Sequence, residues 1–180
     1  MNFDMAAELC EMEGIKTRSI VGADDVLSAP KEREDSRRGV AGIFFMYKCA
    51  GAKAAEMASL DEVCAIAEKV KGMVKTVGFA LTPCIIPEVG APNFVLKENE
   101  MAMGMGIHGE PGRRRVALRS ADEIAEEMVA AIAGDLAAQG DALLFVNGFG
   151  GTPAMELYLM YQSAAAQLAK HGITAVRSLV

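Results

Sequence analysis

The sequence predicts an α/β fold, a two-layer sandwich in which helices cover one face of a mixed β-sheet, with a short helix–strand piece at the N-terminus. Hydrophobic residues make up 52% of the 180 residues, which is enough for a substantial core. Segments with helical spacing of apolar residues mix with alternating segments, without strict β–α alternation. Layers are expected because each helix and each sheet must bury one apolar face.

The first part of the chain is predicted to form a helix, a short strand and a polar loop. Met5, Leu9 and Met12 are spaced as on one helix face, and Gly14 ends that helix. Residues 17–21 are β-prone. Residues 24–38 are polar and charged, which indicates a loop and a hinge between the N-terminal piece and the main domain.

The middle of the chain is predicted to form two helices and a strand. Val40, Phe44 and Tyr47 lie on one helical face, and a capping box in residues 59–62 starts the second helix. Residues 76–81 then alternate between larger apolar and small side chains, which is typical of a strand. We expect this strand to share a sheet with residues 101–108, because both have one face of small residues.

The second half is predicted to continue with further strands and two helices. Residues 93–96 are expected to pair as a hairpin with the strand that follows them. A second capping box, in residues 120–123, starts a helix, and residues 142–146 are apolar enough for a buried strand. A tight turn at residues 148–151, a helix after Pro153 and a last strand at 173–180 complete the prediction.

Residues 101–108 form an alternating pattern that ends at His108, one of two histidines. One face is apolar and carries Met101, Met103, Met105 and Ile107. The other face is nearly bare up to its imidazole and carries Ala102, Gly104, Gly106 and His108. A lone histidine is most often structural, whereas polar groups beside glycine-rich turns are enriched in functional sites. The pattern alone leaves both roles open.

Charge and composition exclude several classes of function. The net charge of −6 and the pI of about 5.0 argue against binding to nucleic acid or anionic membranes, which favour basic surfaces. The four cysteines are widely spaced and show no pattern of zinc ligands, so free thiols in a reducing compartment are expected. No apolar run approaches a membrane span, and acidic residues interrupt the start where a signal peptide would lie. We therefore expect a cytoplasmic protein.

Other charged or glycine-rich features have simple structural interpretations. Residues 113–115 are three arginines and are predicted to be a solvated loop, although they lie next to His108. Arg37 and Arg38 are expected to start a helix or to contact a neighbouring domain. Residues 148–152 are predicted to be a tight turn rather than a phosphate site, and His171 a surface residue in the last turn of a helix.

Several short motifs occur along the chain. Residues 106–112 read GIHGEPG. The other stretches are DSRRGVAG at 35–42, SLDEV at 59–63, TVGFAL at 76–81, ENEM at 98–101, VNGFGGTP at 146–153 and ELY at 156–158. Together, and in this order, they resemble the motifs of one family, the substrate-binding (K) subunits of dihydroxyacetone kinases. Several motifs at consistent spacing are far more specific than one short motif.

The resemblance implies chemistry at the histidine. In this family the matching histidine binds the carbonyl carbon of dihydroxyacetone covalently as a hemiaminal, so His108 is the implied catalytic and substrate-binding residue. Gly106 and Glu110 are implied as further substrate-binding residues. A neutral imidazole nitrogen is a suitable nucleophile near neutral pH. Glu110 either holds the imidazole tautomer or serves a turn, and both roles stay open.

The resemblance also implies partners. No cofactor or metal is expected on this chain itself. The phosphoryl donor, ATP or a phosphoenolpyruvate-derived group, is expected to come from a nucleotide-bearing kinase subunit or domain. The other expected partners are dihydroxyacetone, an N-terminal K domain and further copies of the chain in a homo-oligomer.

Two family motifs do not occur in this sequence. One is a GGSGHEP-type loop around the substrate, and the other is a strand ending in YTGD, whose aspartate assists phosphoryl transfer. We therefore expect residues 1–35 to be a remnant of the family's first domain with a linker, and residues 36–180 to be its second domain, shortened at both ends. A kinase part that is inactive alone, a dihydroxyacetone-binding sensor or co-activator, and a degenerate remnant remain open.

Overall fold

Most of the predicted helices and strands are present, but residues 17–21, predicted as a short strand, form none. The computed structural model describes residues 2–85, 87–107, 110, 112–136 and 139–180. The α-helices in those ranges are α1 (Asn2–Met12), α2 (Ile43–Ala55), α3 (Leu60–Met73), α4 (Ala121–Leu136) and α5 (Ala154–Lys170). The strands there are β1 (Phe79–Ala80), β2 (Glu100–Met103), β3 (Arg114–Ala117), β4 (Gly140–Phe145) and β5 (Ile173–Leu179). The predicted α/β class is confirmed. No helix within these ranges is long and apolar enough to cross a membrane.

The strands pair in both orientations. β1 and β2 pair antiparallel, as do β2 and β3, with Phe79 opposite Met103 and Met101 opposite Val116. β4 and β5 are parallel, and α5 makes the crossover that parallel strands require. The sequence predicted one mixed sheet. In the described part of the chain, the antiparallel and the parallel pairings belong to two separate sheets. The predicted pairing of residues 93–96 with β2 is wrong, because β1 and β3 occupy both edges of that strand.

Both predicted capping boxes are present. The Ser59 backbone N–H donates to the Glu62 carboxylate at 2.8 Å, and the Glu62 N–H donates to the Ser59 hydroxyl at 3.4 Å. Ser120 and Glu123 repeat this arrangement at the start of α4. The caps satisfy N–H groups that a helix leaves unpaired in its first turn. Hydrogen bonds from the capping serine hold the pKa of each glutamate below its usual range.

α4 contributes to two apolar cores. Ile124 packs with Met101 and Met103 of β2 and with Val26 and Val77. One turn further along, Val129 packs against α5 and β5 through Leu168 and Ile173. Met101 and Met103 are each 0% exposed, and burying a side chain of this size contributes roughly 1.5–3 kcal/mol. α4 therefore helps to cover both the antiparallel and the parallel sheet.

Residues 24–38 pack into this body of the chain, which differs from the predicted polar hinge. Val26 lies in the first core, and the backbone around Asp25 forms a parallel bridge with Thr76. A 3₁₀ helix, Lys31–Ser36, follows. The segment contains buried charges that are paired, which sequence patterns do not distinguish from solvated ones. The proposed boundary between residues 35 and 36 stays a prediction.

The strand predicted for residues 101–108 ends earlier, at Met103. Gly104 has a φ of +74°, a left-handed conformation that ends the extended backbone. The face predicted to be bare is covered as well, since Ala102 is only 3% exposed and Gly104 and Gly106 are buried. Residues 104–107 therefore form a loop that is packed into the protein at its start.

Candidate functional site

The candidate site is the glycine-rich loop that follows β2. Residues 104–107, 110 and 112 are described, whereas His108, Gly109 and Pro111 lie outside the described residues. Two described residues on either side of His108 are joined, because the Gly106 N–H donates to the Glu110 carbonyl at 3.2 Å. The predicted substrate-binding residues Gly106 and Glu110 are therefore brought together.

The Glu110 side chain lies directly over Gly106. A Cβ atom built on Gly106 would come within 2.6 Å of the Glu110 Cδ and 2.9 Å of its Cβ. A Cβ atom does not come this close to a carbon atom to which it is not bonded, so any larger residue at 106 would push Glu110 away. The requirement for glycine here comes from the close approach of a side chain rather than from the backbone angle. Glu110 is half-buried, and its carboxyl group lies against Gly106.

The start of the loop is fixed by Gly78, next to β1. The Gly104 N–H donates to the Gly78 carbonyl at 2.8 Å, and the Met105 N–H donates to the same oxygen at 3.2 Å. A Cβ on Gly78 would lie 2.6 Å from the Met105 carbonyl oxygen. Gly78 thus allows two backbones to touch, which explains the small-residue face predicted for this strand.

Arg38 reaches the same loop from the opposite side. Its Nη2 donates to the Gly104 carbonyl at 2.7 Å and to the Asp25 carboxylate at 2.7 Å, and its Nε donates to that carboxylate at 3.0 Å. Asp25 is 0% exposed, and its other oxygen accepts from the Leu27 N–H. Burial raises the pKa of Asp25, while the Arg38 charge opposes that rise.

Arg37 forms a second buried ion pair. Its two terminal nitrogens donate to the two Asp135 carboxylate oxygens at 2.8 and 2.7 Å, and its Nε donates to the Ala29 carbonyl. Hydrogen bonds from Arg37 hold the pKa of Asp135 below its usual range, assisted by Lys75. Both arginines therefore pair within the chain, which differs from the predicted helix start or domain contact.

Asp24 organises the backbone next to these pairs. One carboxylate oxygen accepts from the Val40 N–H at 3.1 Å, and the other accepts from the Gly42 N–H and the Thr76 hydroxyl. Neither Asp24 nor Asp25 was identified as a site residue from the sequence. The available signal was two acidic residues beside apolar Val26, with two arginines a short distance along the chain.

The structure also tests the predictions for the three arginines at 113–115 and for His171. Residues 113–115 are exposed, as predicted for solvated arginines, but Arg114 and Arg115 belong to β3 rather than to a loop, and Arg114 pairs with Glu127 of α4. The Arg113 guanidinium donates to the Ser28 carbonyl. His171 is exposed at the C-terminal end of α5, as predicted. Among the described residues, no three His, Cys, Asp or Glu side chains are grouped so that they could hold a metal ion.

The predicted tight turn at residues 148–152 is confirmed and lies beside the site. The Thr152 N–H donates to the Gly148 carbonyl at 3.0 Å. Phe149, with a φ of 51°, places its ring edge 3.5 Å from the point where a Gly78 Cβ would lie. The turn therefore contacts Gly78, whose carbonyl fixes the start of the candidate loop.

Comparison with known proteins identifies the family. The Dak1 domain matches residues 1–180. The chain belongs to the Dak1 domain family. It is 42% identical over 176 residues to the PTS-dependent dihydroxyacetone kinase, dihydroxyacetone-binding subunit DhaK, of Lactococcus lactis, a match that covers 96% of this chain and 53% of that protein. It is 35% identical to the DhaKLM operon coactivator DhaQ of the same species, with the same coverage.

Solved structures agree with the fold. The dihydroxyacetone kinase operon co-activator Dha-DhaQ superposes with a TM-score of 0.88 at 34% identity, over 98% of this chain and 55% of that chain. The dihydroxyacetone kinase of C. freundii superposes with a TM-score of 0.79 at 26% identity, over 96% of this chain and 31% of that one. The chain spans about half the length of the curated DhaK relatives it matches.

Proposed function

We propose that this chain is the dihydroxyacetone-anchoring part of a dihydroxyacetone kinase, and that His108 binds the ketone covalently. The observation that carries the proposal is the loop itself: Gly106 and Glu110, on either side of His108 in sequence, are joined by a backbone hydrogen bond in a chain of the Dak1 family. Relatives named as dihydroxyacetone-binding subunits, at 42% and 40% identity, support the choice of ligand.

The proposed reaction is a reversible addition to the carbonyl group. The unprotonated imidazole nitrogen of His108 attacks the carbonyl carbon, so a C–N bond forms and the C=O π electrons move to oxygen. The other ring nitrogen loses its proton, and the former carbonyl oxygen gains one, which leaves a neutral hemiaminal. Glu110, beside Gly106, is the proposed acceptor or orienting partner for that ring N–H. Glycerol has no carbonyl carbon to attack and is therefore excluded as a covalent ligand.

The phosphoryl donor is proposed to come from another subunit. Relatives at 42%, 40% and 37% identity are named PTS-dependent, and one in Escherichia coli at 31% is named PEP-dependent. One C. freundii kinase structure, at 26% identity, is a complex with AMP-PNP and Mg²⁺. These names favour a phosphoenolpyruvate-derived donor over ATP. The general acid/base and the remaining pocket wall are proposed to belong to an N-terminal K domain.

Titration calorimetry with dihydroxyacetone tests the anchor. We expect binding by the full chain and by His171→Ala, which removes the exposed second histidine, and loss of binding in His108→Ala. Glycerol should give no heat of binding with any of them. Equal binding by the His108→Ala and His171→Ala variants would refute the anchor, and a full chain that binds no ketone would refute the proposed function.

A dihydroxyacetone-binding co-activator is the second candidate. It is favoured by the TM-score of 0.88 with the co-activator Dha-DhaQ, compared with 0.79 for the C. freundii kinase. A kinase assay with an N-terminal K domain and a donor subunit separates the two functions. Turnover that depends on His108 supports the kinase part. Ketone binding without turnover in that reconstituted mixture supports the co-activator, and neither binding nor turnover supports a remnant.

Erythrulose kinases are also among the relatives, at 34–35% identity. A hemiaminal requires only an accessible carbonyl carbon, so four-carbon ketoses are chemically compatible with the proposed anchor. The same calorimetry with erythrulose ranks the two ketoses. Tighter binding of erythrulose would change the proposed substrate while leaving the proposed chemistry in place.

A further inference from the structure

We propose that Arg38 is a positioning residue for the loop that carries His108, and that buried Asp25 holds Arg38 in place for this purpose. The inference rests on the proposed function, because it explains how the proposed nucleophile would be presented. Asp25 and Arg38 lie 66 or more residues before the loop in sequence, and Arg38 contacts it directly through the Gly104 carbonyl.

The peptide group between Gly104 and Met105 is held at both ends. Its carbonyl oxygen accepts from Arg38 Nη2 at 2.7 Å, and its N–H donates to the Gly78 carbonyl at 3.2 Å. A peptide group is planar, so these two hydrogen bonds fix its orientation. The backbone of residues 104–106 therefore leaves β2 in one direction.

Gly104 makes this restraint necessary. With a φ of +74° it lies in a region where glycine has unusual freedom, so the adjoining peptide group is able to rotate when nothing holds it. Removing the Arg38 guanidinium leaves the carbonyl end of that peptide group without its charged donor. The N–H end retains only the longer of the two hydrogen bonds to Gly78.

Arg37 provides a matched control from the neighbouring position. It is also an arginine in a buried ion pair, with 2% of its side chain exposed and 8% of that of Asp135. Its side-chain hydrogen bonds go to Ala29 and to Asp135 of α4, whereas the Gly104 carbonyl accepts from Arg38. A general loss of stability should therefore affect both arginine variants, whereas an effect on the loop should follow Arg38 alone.

The test compares Arg38→Met with Arg37→Met at a temperature where both variants are folded. Two quantities are measured: the affinity for dihydroxyacetone by calorimetry, and the rate at which diethylpyrocarbonate acylates His108 relative to His171, by mass spectrometry. His171 lies at the end of α5 and serves as the internal reference. If Arg38→Met does not fold, the double variant Asp25→Asn/Arg38→Met replaces it, because this variant also removes the buried Asp25 charge that Arg38→Met leaves without a partner.

We expect Arg38→Met and the double variant to bind dihydroxyacetone at least tenfold more weakly and to change the His108 to His171 acylation ratio at least threefold. Arg38→Lys should recover part of both, since it keeps the charge beside Asp25, and Arg37→Met should match the parent. Equal affinities and equal ratios in the Arg37 and Arg38 variants would overturn the inference. A parent that binds no ketone refutes the proposed function, and the acylation ratio then decides the inference by itself.

Discussion

Removing Arg38 while Asp25 remains should destabilise the fold through a buried, unpaired charge. The Asp25 side chain is 0% exposed, and its carboxylate accepts two hydrogen bonds from Arg38. Deleting one partner of a buried pair typically costs about 3–5 kcal/mol, because the other charge stays desolvated. The Arg38 side chain is 24% exposed, which allows water to approach. We therefore expect Arg38→Met to lose about 3 kcal/mol of unfolding free energy, at the lower end of that range.

The double variant Asp25→Asn/Arg38→Met separates the stranded charge from the loss of the arginine itself. A neutral amide in the same position removes the cost of desolvating a carboxylate. The double variant should then be about 2 kcal/mol more stable than Arg38→Met alone, because it removes much of the cost of a buried charge without a partner. Urea unfolding at neutral pH, followed by circular dichroism, measures both differences.

The loss of stability in Arg38→Met should depend on pH. Burial raises the pKa of Asp25 in the folded protein, and Arg38 opposes that rise. A carboxyl group with a raised folded pKa lowers stability when ionised, and this cost disappears as the pH falls through that pKa. Without Arg38, the deficit relative to the parent should therefore narrow on acidification. If the loss of unfolding free energy stays constant with pH, or if the double variant is no more stable than Arg38→Met, an unpaired Asp25 charge is not the cause of that loss.

Three further variants test other parts of the structure. Gly106→Ala should displace Glu110 and weaken dihydroxyacetone binding about tenfold (about 1.4 kcal/mol) by calorimetry, and parent-like affinity would contradict the predicted overlap. Asp135→Asn should lose about 3 kcal/mol of unfolding free energy in urea, because the Arg37 charge stays buried without its partner. This loss should shrink as the pH falls through the lowered pKa of Asp135. A loss that does not change with pH would contradict the ion pair. Met101→Ala should cost about 2–5 kcal/mol by cavity formation, and a loss below 1 kcal/mol would contradict its placement in the core.

Local signals account for what the sequence predicted well. The capping boxes at Ser59 and Ser120 and the helical spacing of apolar residues lie within a few positions of each other, so α3 and α4 were predicted close to their observed starts. The resemblance pointed to the glycine-rich loop, and the structure joins Gly106 to Glu110 there. The role of His108 itself stays a prediction.

Long-range contacts account for what the sequence did not predict. Asp25 and Arg38 have the composition of a polar loop, and their burial depends on Thr76 and Gly104, which are distant in sequence. The ion pair of Arg114 at the start of β3 was not predicted, because its partner, Glu127, lies on a helix that packs nearby only after folding. Charge patterns therefore predict neither burial nor pairing unless the opposing element is known.

The proposed anchor is a covalent bond between His108 and the carbonyl carbon of dihydroxyacetone. NMR of the chain labelled with ¹⁵N in its histidines, mixed with dihydroxyacetone labelled with ¹³C at the carbonyl carbon, detects this bond. We expect a tetrahedral carbon resonance with a one-bond coupling to a ring nitrogen in the parent and in His171→Ala, and its absence in His108→Ala. A parent that shows only free ketone and its hydrate, with no carbon–nitrogen coupling, would contradict a covalent anchor on His108.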